Sequence, residues 1–149
     1  MDVSFRSAGP ADLETVVPLV RDFWVIEQLE WAELPVRRAL AGLLADARLG
    51  HLVLMERAGR AIGYYVLAFG YSLEFHGRDA FIDELFVREA ERGTGIGTRA
   101  LAHAVELCAS LGVHAVHLEA DWVNPRARKL YEKNGFRVHE RTLMTKKTR

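Results

Sequence analysis

Three glycines on alternate positions mark the stretch of the chain with the clearest chemical meaning, Arg92-Gly93-Thr94-Gly95-Ile96-Gly97. The residues that follow, from Thr98 to Leu111, have the apolar periodicity of a helix. A helix N-terminus exposes unpaired backbone N–H groups at the positive end of the helix dipole, and glycines let a ligand approach that backbone closely. Arg92 adds a cation with bidentate reach. The stretch therefore predicts an anion site, with phosphate as the natural ligand.

Three other local structures could explain glycines in this arrangement: a tight turn, a Rossmann dinucleotide site and a phosphate-binding P-loop. A tight strand-to-helix turn needs one glycine and does not explain three. A Rossmann dinucleotide site fits the local pattern, because Gly95 to Ala100 matches G-x-G-x-x-A and Glu119 and Asp121 end the next predicted strand. A Rossmann core normally begins with that unit, however, and here only two predicted strands remain after it. A phosphate-binding P-loop needs a Gly-Lys-Ser/Thr sequence, which does not follow.

Two carboxylates lie side by side in an otherwise apolar segment, AFIDELFV at residues 80–87. Strand alternation sends Asp83 and Glu84 to opposite faces, so we expect at most one of them to point directly into a site. Acids within an apolar strand cost desolvation energy, which favours a chemical role for at least one. The alternative is an ordinary polar face or an ion pair.

The elements that would position these residues follow from changes of periodicity along the chain. The segment at residues 51–87 predicts three consecutive antiparallel strands, and the later strand–helix–strand order implies one parallel crossover. We therefore expect an α/β fold with a mixed sheet. The predicted elements are, in order, a strand at 3–7, helices opened by Pro10 and Pro35, a hairpin at 51–69, a strand at 80–87, a helix at 98–111, a strand at 114–120, a turn at 122–124, a helix at 125–134 and a strand from Phe136.

Composition narrows the function classes. The chain has 149 residues, with 20 Lys plus Arg and 20 Asp plus Glu, so its formal net charge is zero and no basic block favours nucleic acid as a partner. The length predicts a single domain over residues 1–149. No apolar run is long enough to span a bilayer and residues 1–20 do not resemble a signal peptide, so we expect no membrane association and a cytoplasmic location. The six histidines lack ligand spacing, so we expect no metal. Cys108 is expected in the core.

Two segments resemble the signature motifs of the GCN5-related N-acetyltransferase (GNAT) family. The first family motif, Arg or Gln followed by x-x-G-x-G/A, matches Arg92 to Gly97. The second motif has an Asn, an Ala, a Leu-Tyr pair and a Gly-Phe pair, here Asn124, Ala127, Leu130-Tyr131 and Gly135-Phe136. The resemblance is strong over residues 79–136 and is one of element order alone over residues 1–50. Within the family the chain looks most similar to small-amine acetyltransferases of the diamine type.

The resemblance implies a GNAT-like central sheet of six to seven mostly antiparallel strands, with one splayed parallel pair and about four helices. It also implies acetyl-coenzyme A (acetyl-CoA) as co-substrate, with its pyrophosphate on the glycine loop and its pantetheine arm between the splayed strands. The implied binding residues are Leu85, Phe86 and Val87 through their backbone, then Arg92, Gly93, Thr94, Gly95, Ile96, Gly97 and Thr98, and finally Asn124 and Ala127.

In this family the acetyl group passes directly from the thioester to an amine that has lost its proton. An alkyl amine with a pKa of ~10.4 is neutral in only about one part in two thousand at pH 7, a deficit of roughly 4–5 kcal/mol. By position Asp83 matches the acid that diamine-type members use through water, with Glu84 in reserve. Tyr131 shares a predicted helix face with Asn124 and Ala127 and would protonate the leaving thiolate.

The acceptor groove of family members lies between the first two helices and the loops after the antiparallel strands. In this chain that region is expected to hold Trp24, Glu27, Trp31, Tyr71 and Glu74, which suit a cationic amine. Packed aromatics and solvated acids would give the same pattern, so polyamines, amino acids, aminoglycosides and peptide amines stay open as acceptors. A non-catalytic acyl-CoA sensor or partner module and a dinucleotide-binding oxidoreductase stay open as functions. Family members are often dimers, so a homodimer is compatible with the resemblance.

Overall fold

The computed structural model describes residues 2–121 and 123–149, which divide into two compact units, one ending at Glu119 and the other beginning at Ala120. The first unit contains five strands and three helices: β1 (Ser4–Ser7), α1 (Leu13–Ile26), α2 (Glu33–Ala45), β2 (Gly50–Arg57), β3 (Arg60–Ser72), β4 (Gly77–Val87), α3 (Ile96–Ser110) and β5 (Ala115–His117). The second unit contains α4 (Pro125–Lys133). Trp122, in the turn expected before Asn124, lies outside the described residues. The single-domain organisation stays a prediction.

The strands form one sheet in the order β1-β2-β3-β4-β5. The first three pairings are antiparallel and the last, between β4 and β5, is parallel. For the described residues, a mixed sheet with one parallel pair and four α-helices confirms the predicted fold class. In the described ranges, no helix combines the length and the apolar character needed to cross a membrane.

The strand count is five, so the expectation of six to seven strands is wrong for the described residues. The predicted final strand from Phe136 is not formed: residues 136–149 take part in no strand pairing. Val138, Leu143 and Met144 are exposed there. A strand is defined by its partner and its buried face, and alternation in a charged, exposed segment supplies neither. The predicted strand at 114–120 is also shorter in the structure, where it covers Ala115–His117.

Each face of the sheet is covered by helices. On one face the buried side chains of α1 and α2 pack against alternate residues of β2, β3 and β4, including Leu52, Leu54, Tyr64, Val66 and Phe86. On the other face α3 buries an apolar stripe, and the hydroxyl of Tyr65 lies 2.7 Å from Nδ1 of His103 in α3. Because neighbouring residues alternate across a strand, Tyr64 and Tyr65 mark the two faces. Cys108 is buried in the α3 stripe, which confirms its predicted place in the core.

Gly63 is required where β3 and β4 meet closely. A Cβ at this position would lie 2.4 Å from the carbonyl oxygen of Phe86 and 3.1 Å from Cα of Val87, both backbone atoms. We expect Gly63→Ala to lower the free energy of unfolding by about 1–3 kcal/mol, measured by urea denaturation. Gly42→Ala in α2, where a Cβ meets nothing within 4 Å, is the control and should raise it by about 0.5–1 kcal/mol. Equal effects at the two positions would contradict this packing explanation.

Candidate active site

The glycine loop lies between the end of β4 and the start of α3. Gly93 and Gly95 have φ values of +81° and +82°, in the left-handed region that favours glycine. Gly95 is the N-cap of α3, and no side chain caps this helix end. The backbone N–H groups of the first helical turn are therefore free of side-chain caps, at the positive end of a 15-residue helix.

The space over this loop is open. A Cβ at Gly93, Gly95 or Gly97 would meet no atom within 4 Å, and Thr98 in the first helical turn is exposed. The residues present therefore fit a diphosphate that approaches the backbone, as the sequence predicts.

Two side-chain hydrogen bonds fix the loop, one to the end of β4 and one within the loop itself. Nε of Arg92 donates to the carbonyl oxygen of Val87 at 2.8 Å, and Oγ1 of Thr94 donates to the carbonyl oxygen of Glu91 at 2.9 Å. Arg92 is exposed, and its hydrogen bond to Val87 holds its guanidinium at the surface beside the glycines. A cation in that position favours an anionic ligand.

The parallel strand pair separates after three residues. β4 pairs with β5 from Asp79 to Phe81, whereas β3 follows the opposite edge of β4 as far as Val87. Among the described residues, the β5-side edge of β4 from Ile82 to Val87 therefore has no strand partner. This edge includes the predicted backbone contacts at Leu85, Phe86 and Val87, and an extended pantetheine arm could bind it as a further strand would.

A β-bulge places both strand acids at one site. In the β3–β4 ladder Val66 pairs with Glu84 and Leu67 pairs with Ile82, so Asp83 has no partner residue on β3. The extra residue interrupts the alternation, and Asp83 and Glu84 line the same cleft. The regular strand alternation that the sequence predicts for these two acids is therefore interrupted at Asp83.

Glu84 is held by two donors from different elements. Nε1 of Trp24 in α1 donates to one carboxylate oxygen at 2.8 Å, and the hydroxyl of Tyr64 in β3 donates to the other at 2.7 Å. Burial raises the pKa of the Glu84 carboxyl above its usual value, and the two hydrogen bonds oppose that shift in part. The charges of Asp83 and Glu27 raise this pKa further. A half-buried carboxylate with a raised pKa is a stronger base than an ordinary glutamate and is suited to accept a proton.

The cleft beside these acids lies between α1, α2 and the sheet and has a volume of about 340 Å³. Its walls are mostly apolar, with side chains that include Val20, Val36, Leu40, Leu43 and Val66. Trp24 also lines it. Volume and lining are those of a site for a small molecule.

A cluster around Glu33 fixes the aromatic side of the cleft. Nε1 of Trp31 donates to Glu33 at 2.7 Å, Nε of Arg37 donates to it at 2.9 Å, and Arg21 forms a further ion pair with it. The hydrogen bond from Arg37, followed by that from Trp31, lowers the pKa of Glu33 to about 2. Trp31 in turn packs edge-on against Trp24, with ring centroids 5.6 Å apart. Trp24 is thereby positioned from both sides.

The second unit has the local structure that the second motif predicts. Oδ1 of Asn124 accepts a hydrogen bond from the backbone N–H of Ala127 at 3.1 Å, and Pro125 occupies the first turn of α4. Tyr131 is half-buried, with its ring centroid 6.4 Å from that of Phe136.

The family model described as the Acetyltransferase (GNAT) family matches residues 16–136. The chain belongs to this family. It is 30% identical over 143 residues to an L-methionine sulfoximine/L-methionine sulfone acetyltransferase of Pseudomonas paraeruginosa, a match that covers 93% of this chain and 82% of the relative.

Solved structures agree with the assignment. An integron cassette protein from the mobile metagenome of Cole Harbour Salt Marsh is 30% identical, with a TM-score of 0.86 over 97% of this chain and 90% of that one. A predicted acetyltransferase of Clostridium acetobutylicum, determined with acetyl-CoA, shares the fold at 22% identity, with a TM-score of 0.81 over 97% of this chain and 96% of that one. The GNAT assignment made from the two motifs is thus confirmed.

The acceptor residues expected in this GNAT protein are only partly brought together. Trp24 lines the cleft and Trp31 packs on it. Glu27 lies at the exposed end of α1, Tyr71 is 76% exposed near the end of β3, and Glu74 lies in the exposed turn between β3 and β4. None of these three is among the residues that line the cleft.

Tyr64 is a site residue that the sequence does not predict. The Tyr64–Glu84 contact joins positions 20 residues apart and depends on the β3–β4 register and the bulge, neither of which a local pattern encodes. The described residues of this GNAT protein contain no group of three or more metal-ligating side chains with a metal-site arrangement.

Proposed function

We propose that this protein transfers the acetyl group of acetyl-CoA to the primary amine of a small molecule that enters the cleft. The observation that carries the proposal is the position of Glu84. This half-buried acid with a raised pKa is held by Trp24 and Tyr64 at the cleft, and it lies in the part of β4, residues 82–87, that has no strand partner on its β5 side among the described residues. A cleft of about 340 Å³ suits a small acceptor. The small substrates in the name of the Pseudomonas paraeruginosa relative point the same way.

Glu84 is the proposed general base. An acceptor ammonium must lose its proton before attack, and a base with a pKa nearer neutrality does this more effectively than an ordinary carboxylate. Asp83 is exposed and lines the same cleft, so its proposed part is to attract the ammonium group. The family resemblance favours Asp83 as base, and the hydrogen bonds and burial of Glu84 support the opposite assignment.

The proposed contacts of acetyl-CoA are those that the resemblance implies. The pyrophosphate would bind the backbone of the glycine loop with Arg92 and Thr98, and the pantetheine arm would pair with the open edge of β4. An N–H on that edge would receive the thioester oxygen as negative charge develops on it. The second family motif supports proposed roles for three further residues. Asn124 and Ala127 would contact the cofactor, and Tyr131 would act as the general acid that protonates the leaving thiolate.

The direct test is amine-dependent release of free thiol from acetyl-CoA by the purified protein, with a thermal-shift measurement of acetyl-CoA binding beside it. Thiol release that requires a small amine, together with stabilisation by acetyl-CoA, is the expected result. Binding with no turnover on any amine would favour a sensor or partner module. Absence of both would overturn the assignment of acetyl-CoA as co-substrate.

Tyr64→Phe tests the role of Glu84 through pH dependence. Because the Tyr64 hydrogen bond lowers the Glu84 pKa, its loss should raise that pKa further, and the acid limb of the kcat/KM profile should move to higher pH. Tyr65→Phe removes the same atom from the neighbouring residue on the opposite face and should leave the limb in place. If the two variants had the same pH profile of kcat/KM, protonation of Glu84 would not be the cause of its acid limb.

A further inference from the structure

The charges of the cleft are confined to one end. Among the described residues that line it, Asp83 and Glu84 are the ionisable side chains, and both lie at the bulge of β4. The remaining lining comes from apolar residues and from the indole of Trp24. A ligand with one ammonium group and an apolar body matches this distribution of charge.

The nearby arginines are tied to other partners. Arg21 and Arg37 pair with Glu33 at the surface, and Arg37 also pairs with Glu14. Nε of Arg88 donates to the carbonyl oxygen of Ala61 at 3.2 Å, and its guanidinium lies 3.7 Å from the carboxylate of Asp22. None of these cations is among the described residues that line the cleft.

An anionic acceptor would therefore bind poorly. A carboxylate taken into the cleft would lose its hydration without gaining a cationic partner among the described lining residues, and it would lie near two acids. A second ammonium group, at the far end of a diamine, would also lack a partner among the apolar side chains of α2.

Resting on the proposed acetyl transfer, we infer that the acceptor is a monoamine with an apolar alkyl or aryl body and no carboxylate. Its ammonium group lies against Asp83 and Glu84, and its body lies among Trp24, Val36 and Leu40. This class differs from the amino-acid type of substrate in the name of the Pseudomonas paraeruginosa relative. It also differs from the diamines that the sequence resemblance suggests.

The test compares acceptors that differ in one charged group. We expect kcat/KM for 2-phenylethylamine to exceed that for L-phenylalanine by about 100-fold or more, since a polar group left unpaired in a site is rejected strongly. L-phenylalanine amide, which keeps the shape and removes the charge, should recover most of that loss. Hexylamine should likewise be preferred over 1,6-diaminohexane.

A charge placed in the cleft should change this preference. Ala39 is exposed and lines the cleft, so Ala39→Arg supplies the missing cation at its edge. The ratio of kcat/KM for L-phenylalanine to that for 2-phenylethylamine should rise by about 10-fold, as expected for one added ion pair in a partly buried site. Ala41→Arg puts the same charge on α2 away from the cleft and is the matched control, with an unchanged ratio.

Ligand binding gives a readout that does not depend on turnover. Because Trp24 lines the cleft and Trp31 packs against Trp24, 2-phenylethylamine should change the tryptophan fluorescence of the protein at concentrations where L-phenylalanine does not. Selective binding without thiol release would support this acceptor class and overturn the proposed reaction. Acetylation of L-phenylalanine as fast as 2-phenylethylamine would overturn the acceptor class and leave the reaction standing. Neither binding nor turnover of the amines would overturn both.

Discussion

Glu84→Gln is expected to lower kcat/KM for amine acetylation by about 10²–10⁴-fold, the usual contribution of a general base. The glutamine amide has the size of the original side chain and keeps one oxygen that can accept a hydrogen bond from Trp24 or Tyr64. It is not basic enough to remove a proton from the substrate ammonium group. Affinity for acetyl-CoA, measured by thermal shift or calorimetry, should change little, because the glycine loop and the open edge of β4 are unaltered. Steady-state kinetics over a range of pH would measure the loss.

The pH profile makes this prediction specific to proton transfer. In the parent protein the rate should fall as Glu84 is protonated, and because burial raises its pKa, this acid limb should lie above the ordinary glutamate value of 4.5. Glu84→Gln should remove the limb. An acceptor amine with a pKa well below 7 is already neutral without a base, so the loss caused by Glu84→Gln should shrink for such an acceptor.

Asp83→Asn is the matched control from the neighbouring position. Its expected effect is a higher KM for the amine with a smaller loss in kcat, because Asp83 is exposed and acts in the proposal through charge alone. A larger loss of kcat in Asp83→Asn than in Glu84→Gln, with the acid limb removed, would assign the base to Asp83, as the family resemblance favours.

The difference between these two acids shows what the sequence could predict at the site. The segment AFIDELFV was predicted as a strand with two acids, and both conclusions hold. The bulge at Asp83 and the donors to Glu84 were not predictable, because they depend on the register with β3 and on Trp24, which is 60 residues away in the chain. Local periodicity identifies a strand, whereas its irregularities depend on its neighbours.

The same distinction explains the fold. Helix ends were predicted well where local chemistry specifies them: Asn124 and Pro125 begin α4 through capping and a fixed φ. The predicted start of α3 at Thr98 was two residues late, since Gly95 caps the helix through its backbone conformation, without a side-chain signal. The segment after Phe136 alternates briefly in sequence but buries no apolar face, and it is not a strand.

Gly95→Val is expected to weaken acetyl-CoA binding by about 100-fold or more, equivalent to losing two charge-assisted hydrogen bonds of about 1.5–3 kcal/mol each. Gly95 has a φ of +82°, which a β-branched residue rarely adopts, and its Cβ would project into the open space over the loop. Valine should therefore shift the backbone of the first helical turn and cover its N–H groups. Isothermal titration with acetyl-CoA would measure the loss.

Strain alone would also destabilise the fold, so the prediction needs a control that separates stability from binding. Gly112, after the end of α3, has a φ of +75°, and a Cβ there also meets nothing within 4 Å. Gly112→Val and Gly95→Val should each lower the free energy of unfolding by about 1–2 kcal/mol. Only Gly95→Val should weaken acetyl-CoA binding, because Gly95 lies beside the exposed N–H groups at the start of α3, whereas Gly112 lies after the end of that helix. If both variants lost comparable affinity for acetyl-CoA, the loss would be explained by reduced stability. The proposal that the glycine loop binds the diphosphate would then be contradicted.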